Sequence, residues 1–452
     1  MYLIKEIEFI ELNDTEVIMI NLINGATDVL EKALYSKIIK NDFDSIDDEV
    51  IDAMKARKYL FSAEAEYKDF IASIEAVVKD YELKAPPSFL VVPSYACNLN
   101  CIYCYEQTYM IKGTTDINPV VMVDKQFERI DKIVAAHEEK YGKIEADTRI
   151  TIMGGEPLLV PNYAAVEHIF KSAKARSFTV DIVSNGVELD KYLDLFNQYN
   201  IDTLKHIQIT VDGVKEIHDG RRIFRDKRGS FDIIMANIKL AIKNNIKIIL
   251  RVNVDATNIN ELPDLADALI QRFGQNELLQ PYLYLLQDGG CSGEANIVSE
   301  KIGIEKLFEM EAKNPNMKIF RKKFHAEAFI NSIFDNIPYQ PKLKHCGAMK
   351  NQFILDCKSN VYKCWHGIGN NDYSIGKFYP EYKINQKKAN AWLNRSVNNI
   401  EKCQTCKYRY ICGTGCPAAK HMSEAQMDVS EPSCNPFDEI IKAIILEKMK
   451  NR

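Results

Sequence analysis

Eleven of the twelve cysteines in this 452-residue chain fall into two fields. Three lie within residues 97–104 and eight between 346 and 434, with Cys291 standing alone between them. The N-terminus, Met1-Tyr2-Leu3-Ile4-Lys5-Glu6, lacks the charged start, apolar core and cleavage site of an export signal. Tight short-range cysteines in a chain of that kind point to metal rather than to disulfides. The fold must therefore carry two metal-binding regions, each gathered from a short stretch of sequence.

The first field is the tighter one. Cys97, Cys101 and Cys104 follow a C-x3-C-x2-C spacing, with Tyr103 just before the last thiol. Thiolates this close can converge on one soft metal centre from a single loop. Structural zinc wants four closed ligands, and its C-x2-C elements return as a second pair. Three thiolates suit a four-iron, four-sulfur cluster with one iron left open. Zinc and plain buried cysteines stay as the alternatives at this point.

Composition removes several function classes. Apolar residues make up 46% and charged residues 27%, ordinary for a globular protein, and the net charge of −5 gives no argument for nucleic acid or an anionic membrane as partner; neither is expected. No apolar run reaches the length of about 18 residues that a bilayer-spanning helix needs. A cytoplasmic location is expected.

After the linker Ala85-Pro86-Pro87, apolar strand-like runs recur at 89–92, 149–153, 178–183, 206–212, 247–255 and 279–286. Helical periodicity fills 124–139, 162–175, 189–198, 231–245 and 260–273 between them. Strands alternating with helices imply a parallel sheet joined by right-handed crossovers. In barrels of this type chemistry gathers at the carboxyl ends of the strands. The cysteine loop follows the first strand. The next three end in Gly154-Gly155-Glu156-Pro157, in Ser184-Asn185-Gly186, and in Thr210-Val211-Asp212-Gly213, the last followed by His218-Asp219 and Arg222.

Together these residues resemble the radical S-adenosylmethionine (SAM) superfamily: the three-cysteine loop, the GGEP motif, the S-N-G turn, and the S-x-D-G and H-D-x-x-R elements, with Thr210 in place of the usual serine. The resemblance implies an α/β fold, a partial (β/α)6 TIM-type barrel. It implies that Cys97, Cys101 and Cys104 hold a [4Fe-4S] cluster. It also implies that Tyr103, Gly154, Gly155, Glu156, Ser184, Asn185, Thr210, Asp212 and Arg222 surround SAM. His218 is given no proton-transfer role.

From Cys346 onward the chain resembles the SPASM extension, which carries two auxiliary clusters. Cys403-x2-Cys406-x5-Cys412-x3-Cys416 fits that pattern at every interval, and Cys434 follows; Ser359 replaces the usual glycine before Cys364, with Asn360 expected to supply the turn. Paired zinc knuckles would be the alternative. The resemblance places Cys403, Cys406, Cys412 and Cys434 on an outer cluster and Cys346, Cys364 and Cys416 on an inner one, three [4Fe-4S] clusters in all. Cys357 is the candidate fourth inner ligand, or else a turn cysteine facing solvent; Cys291 is a substrate-contacting thiol or an ordinary loop cysteine. Trp365 stands where anaerobic sulfatase-maturing members carry an aspartate.

The first eighty-five residues read as a separate α/β unit. It has a hairpin around Asn13-Asp14, a helix capped by Asp28 through about Lys40, another from Asp47 or Asp48, a short strand at 59–61, and a helix over 64–79. The layout resembles the winged-helix-like domain with which peptide-modifying members bind a leader peptide; a cap with no binding role is the other possibility. The expected domains are 1–84, 85–330 and 331–452. The function implied is that of a peptide maturase that cleaves SAM reductively and installs a thioether crosslink in a ribosomal precursor peptide. It would draw electrons from an external one-electron reductant such as flavodoxin or ferredoxin. A carbon–carbon or carbon–oxygen crosslink on such a peptide, and a non-peptide dehydrogenase, are the alternatives.

Overall fold

A computed structural model describes residues 1–106, 118–144, 147–200, 202–286, 296–335, 337–418 and 429–450. Five strands come first: β1 Tyr2–Leu3, β2 Ile7–Glu11, β3 Glu16–Asn21, β4 Thr27–Glu31 and β5 Leu60–Phe61. β2, β3 and β4 form an antiparallel sheet, and β1 pairs with β5. Helices Lys32–Ile39, Asp48–Ala56 and Glu64–Lys84 complete the unit. Asp28 caps no helix. It lies in β4 opposite Met19, and its carboxylate accepts a hydrogen bond from Arg57 Nε at 2.6 Å. Pairing with β3 outweighs the capping preference of a single aspartate, and the helix starts at Lys32 instead.

This unit packs on the far end of the chain. Ile10, Ile18, Ile20 and Leu22 share a core with Phe329, Ile330, Phe437, Ile440 and Ile441. Ile4, Ile7 and Tyr67 share another with Leu343, Val397, Cys403 and Tyr410. Buried Glu6 pairs with Arg409 at 3.3 Å and accepts from Tyr67 Oη at 2.7 Å; Glu8 pairs with Lys407 at 2.9 Å, and Tyr410 Oη donates to Glu75 at 2.6 Å. The segment between Cys406 and Cys412 is thereby clamped onto the N-terminal acids.

The central sheet is built from β6 Ser88–Val91, β7 Arg149–Ile152, β8 Thr179–Ser184, β9 Leu204–Thr210, β10 Ile248–Val254, β11 Leu279–Leu285 and β12 Arg321–Lys323. Its neighbours follow chain order and every one of these pairs is parallel. The six expected strands stand where the apolar runs put them, and helices Pro119–Tyr141, Tyr163–Lys174, Phe231–Lys243 and Leu262–Phe273 fill their expected intervals. The stretch 189–198 is a 3-10 turn, Leu189–Tyr192, running into a short helix, Leu193–Tyr199. β12 has no apolar pattern to betray it, because it is three cationic residues pairing as an outer strand.

On the other side of β6 the sheet continues. β13 Gln352–Leu355 pairs parallel to β6, and β14 Asn360–Tyr362, β15 Gly376–Lys377 and β16 Lys383–Ile384 follow antiparallel. The first part of the C-terminal cysteine region, through Ile384, thus extends the barrel sheet itself. Ser359, not Asn360, makes the β13–β14 turn, with a left-handed φ of 68°, while Asn360 begins β14. The Asp356 carboxylate steadies that turn by accepting from the N–H groups of Lys358 and Asn360. Helix Glu327–Phe334 runs across position 331, and among the described residues no helix is long and apolar enough to cross a membrane.

Candidate active site

The carboxyl ends of β6 through β10 meet at the first cysteine loop. Cys101 is buried, and Cys97 and Cys104 are partly so. Burial, and next the neighbouring Glu156, pushes the Cys97 thiol up to about 12; burial, and next Glu106, does the same to Cys104. Thiols so placed ionise only when a cationic centre takes them as ligands. The loop is held from two sides. Asn100 N–H donates to the Ile223 carbonyl at 2.7 Å and Ile102 N–H to that of Arg221 at 3.0 Å. On the other flank Asn185 Nδ2 donates to Asn98 Oδ1 at 2.7 Å and lies 3.9 Å from Cys97 Sγ.

Gly155 shows why this junction needs glycine. A Cβ there would sit 2.4 Å from the Ala96 carbonyl oxygen, and its φ is 52°. The glycine lets the β7 turn lie directly against the start of the cysteine loop, where the Glu156 N–H donates to the same carbonyl at 2.7 Å. We expect Gly155→Ala to lower cluster occupancy severalfold after anaerobic reconstitution, read as iron per chain, because the backbone of Ala96 must move.

Glu156 is buried and ties the strand ends together. Its carboxylate accepts from Leu158 N–H at 2.8 Å, Ser184 Oγ at 2.7 Å and Asn185 N–H at 2.5 Å. Burial pushes this carboxyl up to about 7, against the pull of those donors. A carboxylate has about four acceptor positions, and three are used here.

Tyr103 is a second hub. Its hydroxyl donates to Asp212 and accepts from Arg222 Nη1 at 2.8 Å, and Asn253 Nδ2 lies at 3.3 Å. Fully buried Asp212 also accepts from Asn253 N–H at 3.2 Å, and Arg221 stands over the Tyr103 ring while pairing with Asp255 at 2.8 Å. Thr210 is buried on β9 opposite Arg251 of β10. Arg221, Asn253, Asp255 and Asn258 had no part in the sequence reading. The end of β10 offers no short motif, and only its place in the strand series could have flagged it.

His218 is structural. Its Nδ1 accepts from the Asp212 N–H at 3.3 Å and its Nε2 faces Ser230 Oγ at 3.0 Å, which donates on to the Arg222 carbonyl at 2.6 Å. Burial, then the charge of Arg222, drives its pKa down to about 3. The unfolded chain then binds a proton that the folded chain refuses, so this stability is present above about pH 6.5 and is lost as pH falls toward 3. Between pH 7 and 5 the wild type should lose roughly 2 kcal/mol more than His218→Asn, measured by denaturant titration.

The second field separates into two sets. After burial, the charges that raise the Cys364 thiol are those of Cys346 and Cys416. Those that raise Cys412 are Cys403, Cys406 and Cys434. Cys357 does not face solvent. It is buried in an apolar cluster with Leu90, Val92, Tyr95, Ile354 and Tyr362, and burial followed by Asp356 pushes its thiol up to about 12. Cys291 lies outside the described residues.

Three thiols on one loop at the sheet's carboxyl end are a donor set that an iron–sulfur cluster would take. Beside the first loop, Glu106 Oε1, Arg222 Nε and Arg221 Nη2 are buried without a hydrogen-bond partner within the protein, which suits a polar, zwitterionic occupant such as SAM.

Residues 91–269 match the profile described as the Radical SAM superfamily. The chain is similar to the cysteine-type anaerobic sulfatase-maturating enzyme of Clostridium novyi (strain NT), 26% identical over 349 residues, 73% of this chain and 87% of the relative. In structure it is similar to anSMEcpe with bound AdoMet and Cp18Cys peptide (TM-score 0.58, 15% identity, 81% of this chain and 98% of that one). It is also similar to Streptococcus suis SuiB bound to precursor peptide SuiA (TM-score 0.51, 14% identity, 94% and 97%). The barrel at the centre of this α/β chain is a radical SAM domain, a family that implies a [4Fe-4S] cluster and SAM.

Proposed function

We propose that this protein is a radical SAM maturase of a ribosomal precursor peptide, and that its product is an oxidatively installed thioether crosslink. The observation that carries the reading is the contact between the two cysteine fields. Tyr105, next to Cys104, lies tilted against His366, two residues after Cys364, with ring centroids 4.9 Å apart. A substrate seated beside this contact would lie near both the radical-forming loop and the inner auxiliary set. Relatives solved with a Cp18Cys peptide and with precursor peptide SuiA support a peptide substrate.

In this reading Cys97, Cys101 and Cys104 hold the cluster that binds SAM, and the pair would supply a 5′-deoxyadenosyl radical able to abstract hydrogen from an unactivated carbon. Glu156, with its remaining acceptor position, would take the SAM amino group, and the unpartnered Arg222 Nε its carboxylate. Ser184, Asn185, Thr210 and Asp212 order the loops that enclose it. Cys346, Cys364 and Cys416 would hold the inner auxiliary cluster. Its fourth position is left for a substrate thiolate, because Cys357 is packed among apolar side chains instead. Cys403, Cys406, Cys412 and Cys434 would hold the outer one. The electron released as the substrate is oxidised would pass into these clusters, while the electron that cleaves SAM would come from an external one-electron reductant such as flavodoxin or ferredoxin.

The leader would add to the open edge of β4, whose pairing is with β3 and where Val29 is 53% exposed. Trp365 in place of an aspartate separates this chain from sulfatase maturation in the proposed chemistry. Anaerobic incubation with a cysteine-containing precursor tests the reading: a mass loss of about two per crosslink, from two hydrogens, together with loss of an alkylatable thiol is expected. Product that keeps the thiol would favour a carbon–carbon or carbon–oxygen bond, and no modified peptide at all would remove the proposal.

A further inference from the structure

Strand β10 puts alternate side chains on opposite faces. Leu250, Val252 and Val254 enter the core against the helices, so Arg251 and Asn253 face the interior of the barrel. The other two arginines close to the site already have partners of their own, Arg221 in Asp212 and Asp255 and Arg222 in the Tyr103 hydroxyl, and their remaining donors face the first loop. Arg251 differs. Its Nε donates to Asn253 Oδ1 at 2.7 Å and its guanidinium lies 4.3 Å over the Tyr284 ring, and among the described residues no carboxylate pairs with it. A half-buried guanidinium is a strong, planar, two-pronged donor. It also meets the Tyr282 side chain, and a guanidinium held by neutral groups alone is the kind a fold keeps where an anion arrives from outside.

Its surroundings fix where that anion would be. Asn253, which accepts from Arg251, reaches with its Nδ2 to within 3.3 Å of the Tyr103 hydroxyl in the first cysteine loop, and two residues on Tyr105 lies against His366 with ring centroids 4.9 Å apart. Arg251 therefore stands on the side of the sheet that carries the radical-forming loop and its contact with His366. Two further polar atoms around it, Tyr105 Oη and His366 Nδ1, are buried without a hydrogen-bond partner. Leaving each unsatisfied carries the full desolvation cost of the group. Lys323, over the Tyr282 ring at 4.2 Å, adds a second positive charge on the same side. A cationic or purely apolar guest would leave all of these groups worse off.

We propose that Arg251 binds a carboxylate of the substrate, so that the peptide this enzyme modifies carries an acid beside the reacting residue, either as an Asp or Glu side chain or as its C-terminal carboxylate. Tyr105 and His366 complete the subsite as hydrogen-bonding neighbours. The inference rests on the peptide-maturase reading and narrows it to a class of sequence.

The test uses anaerobically reconstituted full-length enzyme with SAM and three fluorescein-labelled probes. They are Gly-Gly-Cys-Glu-Gly-Gly amide, Gly-Gly-Cys-Gln-Gly-Gly amide, and the Gln peptide as free acid. Binding of one or both acid peptides about tenfold tighter than the neutral one is expected, and which one gains identifies the source of the carboxylate. The gain should vanish in Arg251→Met, persist in part in Arg251→Lys and be untouched in Arg321→Met, with iron content checking that each variant folds. Should Arg251→Met not fold, competition by N-acetylglutamate against N-acetylglutamine amide on the wild type gives the same answer. Equal binding of all three peptides, or a preference that survives Arg251→Met or fails to distinguish the two competitors, would overturn the proposal. N-acetylglutamate binding without any peptide binding would sink the peptide reading while leaving the carboxylate subsite; binding of neither would remove the subsite.

Discussion

Replacing Cys97, Cys101 and Cys104 together by alanine should abolish 5′-deoxyadenosine formation and remove about four irons per chain while leaving about eight. The size of the effect follows from the position of the loop. Its thiols stand at the one place where the ends of β7, β8 and β9 are cross-braced, through Gly155, Asn185 and the Arg222–Tyr103–Asp212 network. Neither set in the second field includes these cysteines, so the auxiliary iron should stay. Anaerobic product analysis by liquid chromatography and a colorimetric iron assay read the two parts separately. Loss of all iron would mean that the two fields form one cooperative centre.

Deleting residues 1–84 should abolish soluble, iron-loaded protein rather than merely weaken substrate binding. The N-terminal unit provides about a quarter of one shared core and most of another. Ile10, Ile18, Ile20 and Leu22 are fully buried against the helices around residues 329 and 440, and Ile4, Ile7 and Tyr67 against Leu343 and Tyr410. At roughly 2 kcal/mol per buried side chain, uncovering this set removes about as much as the 5–15 kcal/mol by which a domain is usually stable. The cut also frees Arg409 and Lys407 from Glu6 and Glu8, between two cysteines of the outer set. The truncation therefore cannot tell a leader-binding domain from a cap. Charge reversal on the β4 edge, at Asp28 or Glu31, addresses leader binding without opening the core. Soluble truncated protein with full iron would show that the shared cores contribute little.

The central sheet could be read from the chain because its strands are apolar runs of four to seven residues broken by amphipathic helices. The strand-end motifs could be read because they fall in order, each at an expected strand end after the cysteine loop, and together match one superfamily's pattern. Other features were hidden for physical reasons. β12 is Arg-Lys-Lys and β13 opens on a glutamine, so neither shows the pattern of a buried strand. β4 looks like a helix start because Asp28 resembles a cap, until its pairing with β3 is known. The network of Arg221, Asn253, Asp255 and Asn258 joins residues up to 46 apart in sequence through single hydrogen bonds, which spacing alone does not reveal. Cys357 shows the limit most clearly. Its interval from Cys346 and Cys364 is compatible with ligation, but the register of β13 on β6 turns it into an apolar cluster with Leu90 and Tyr95.

The most direct measurement is the iron and sulfide content of anaerobically reconstituted wild-type protein, taken with its Mössbauer spectrum. Three separate cysteine sets predict about twelve irons and about twelve sulfides per chain, all as [4Fe-4S]. About four irons at full reconstitution, or zinc at about one per four cysteines, would contradict the account.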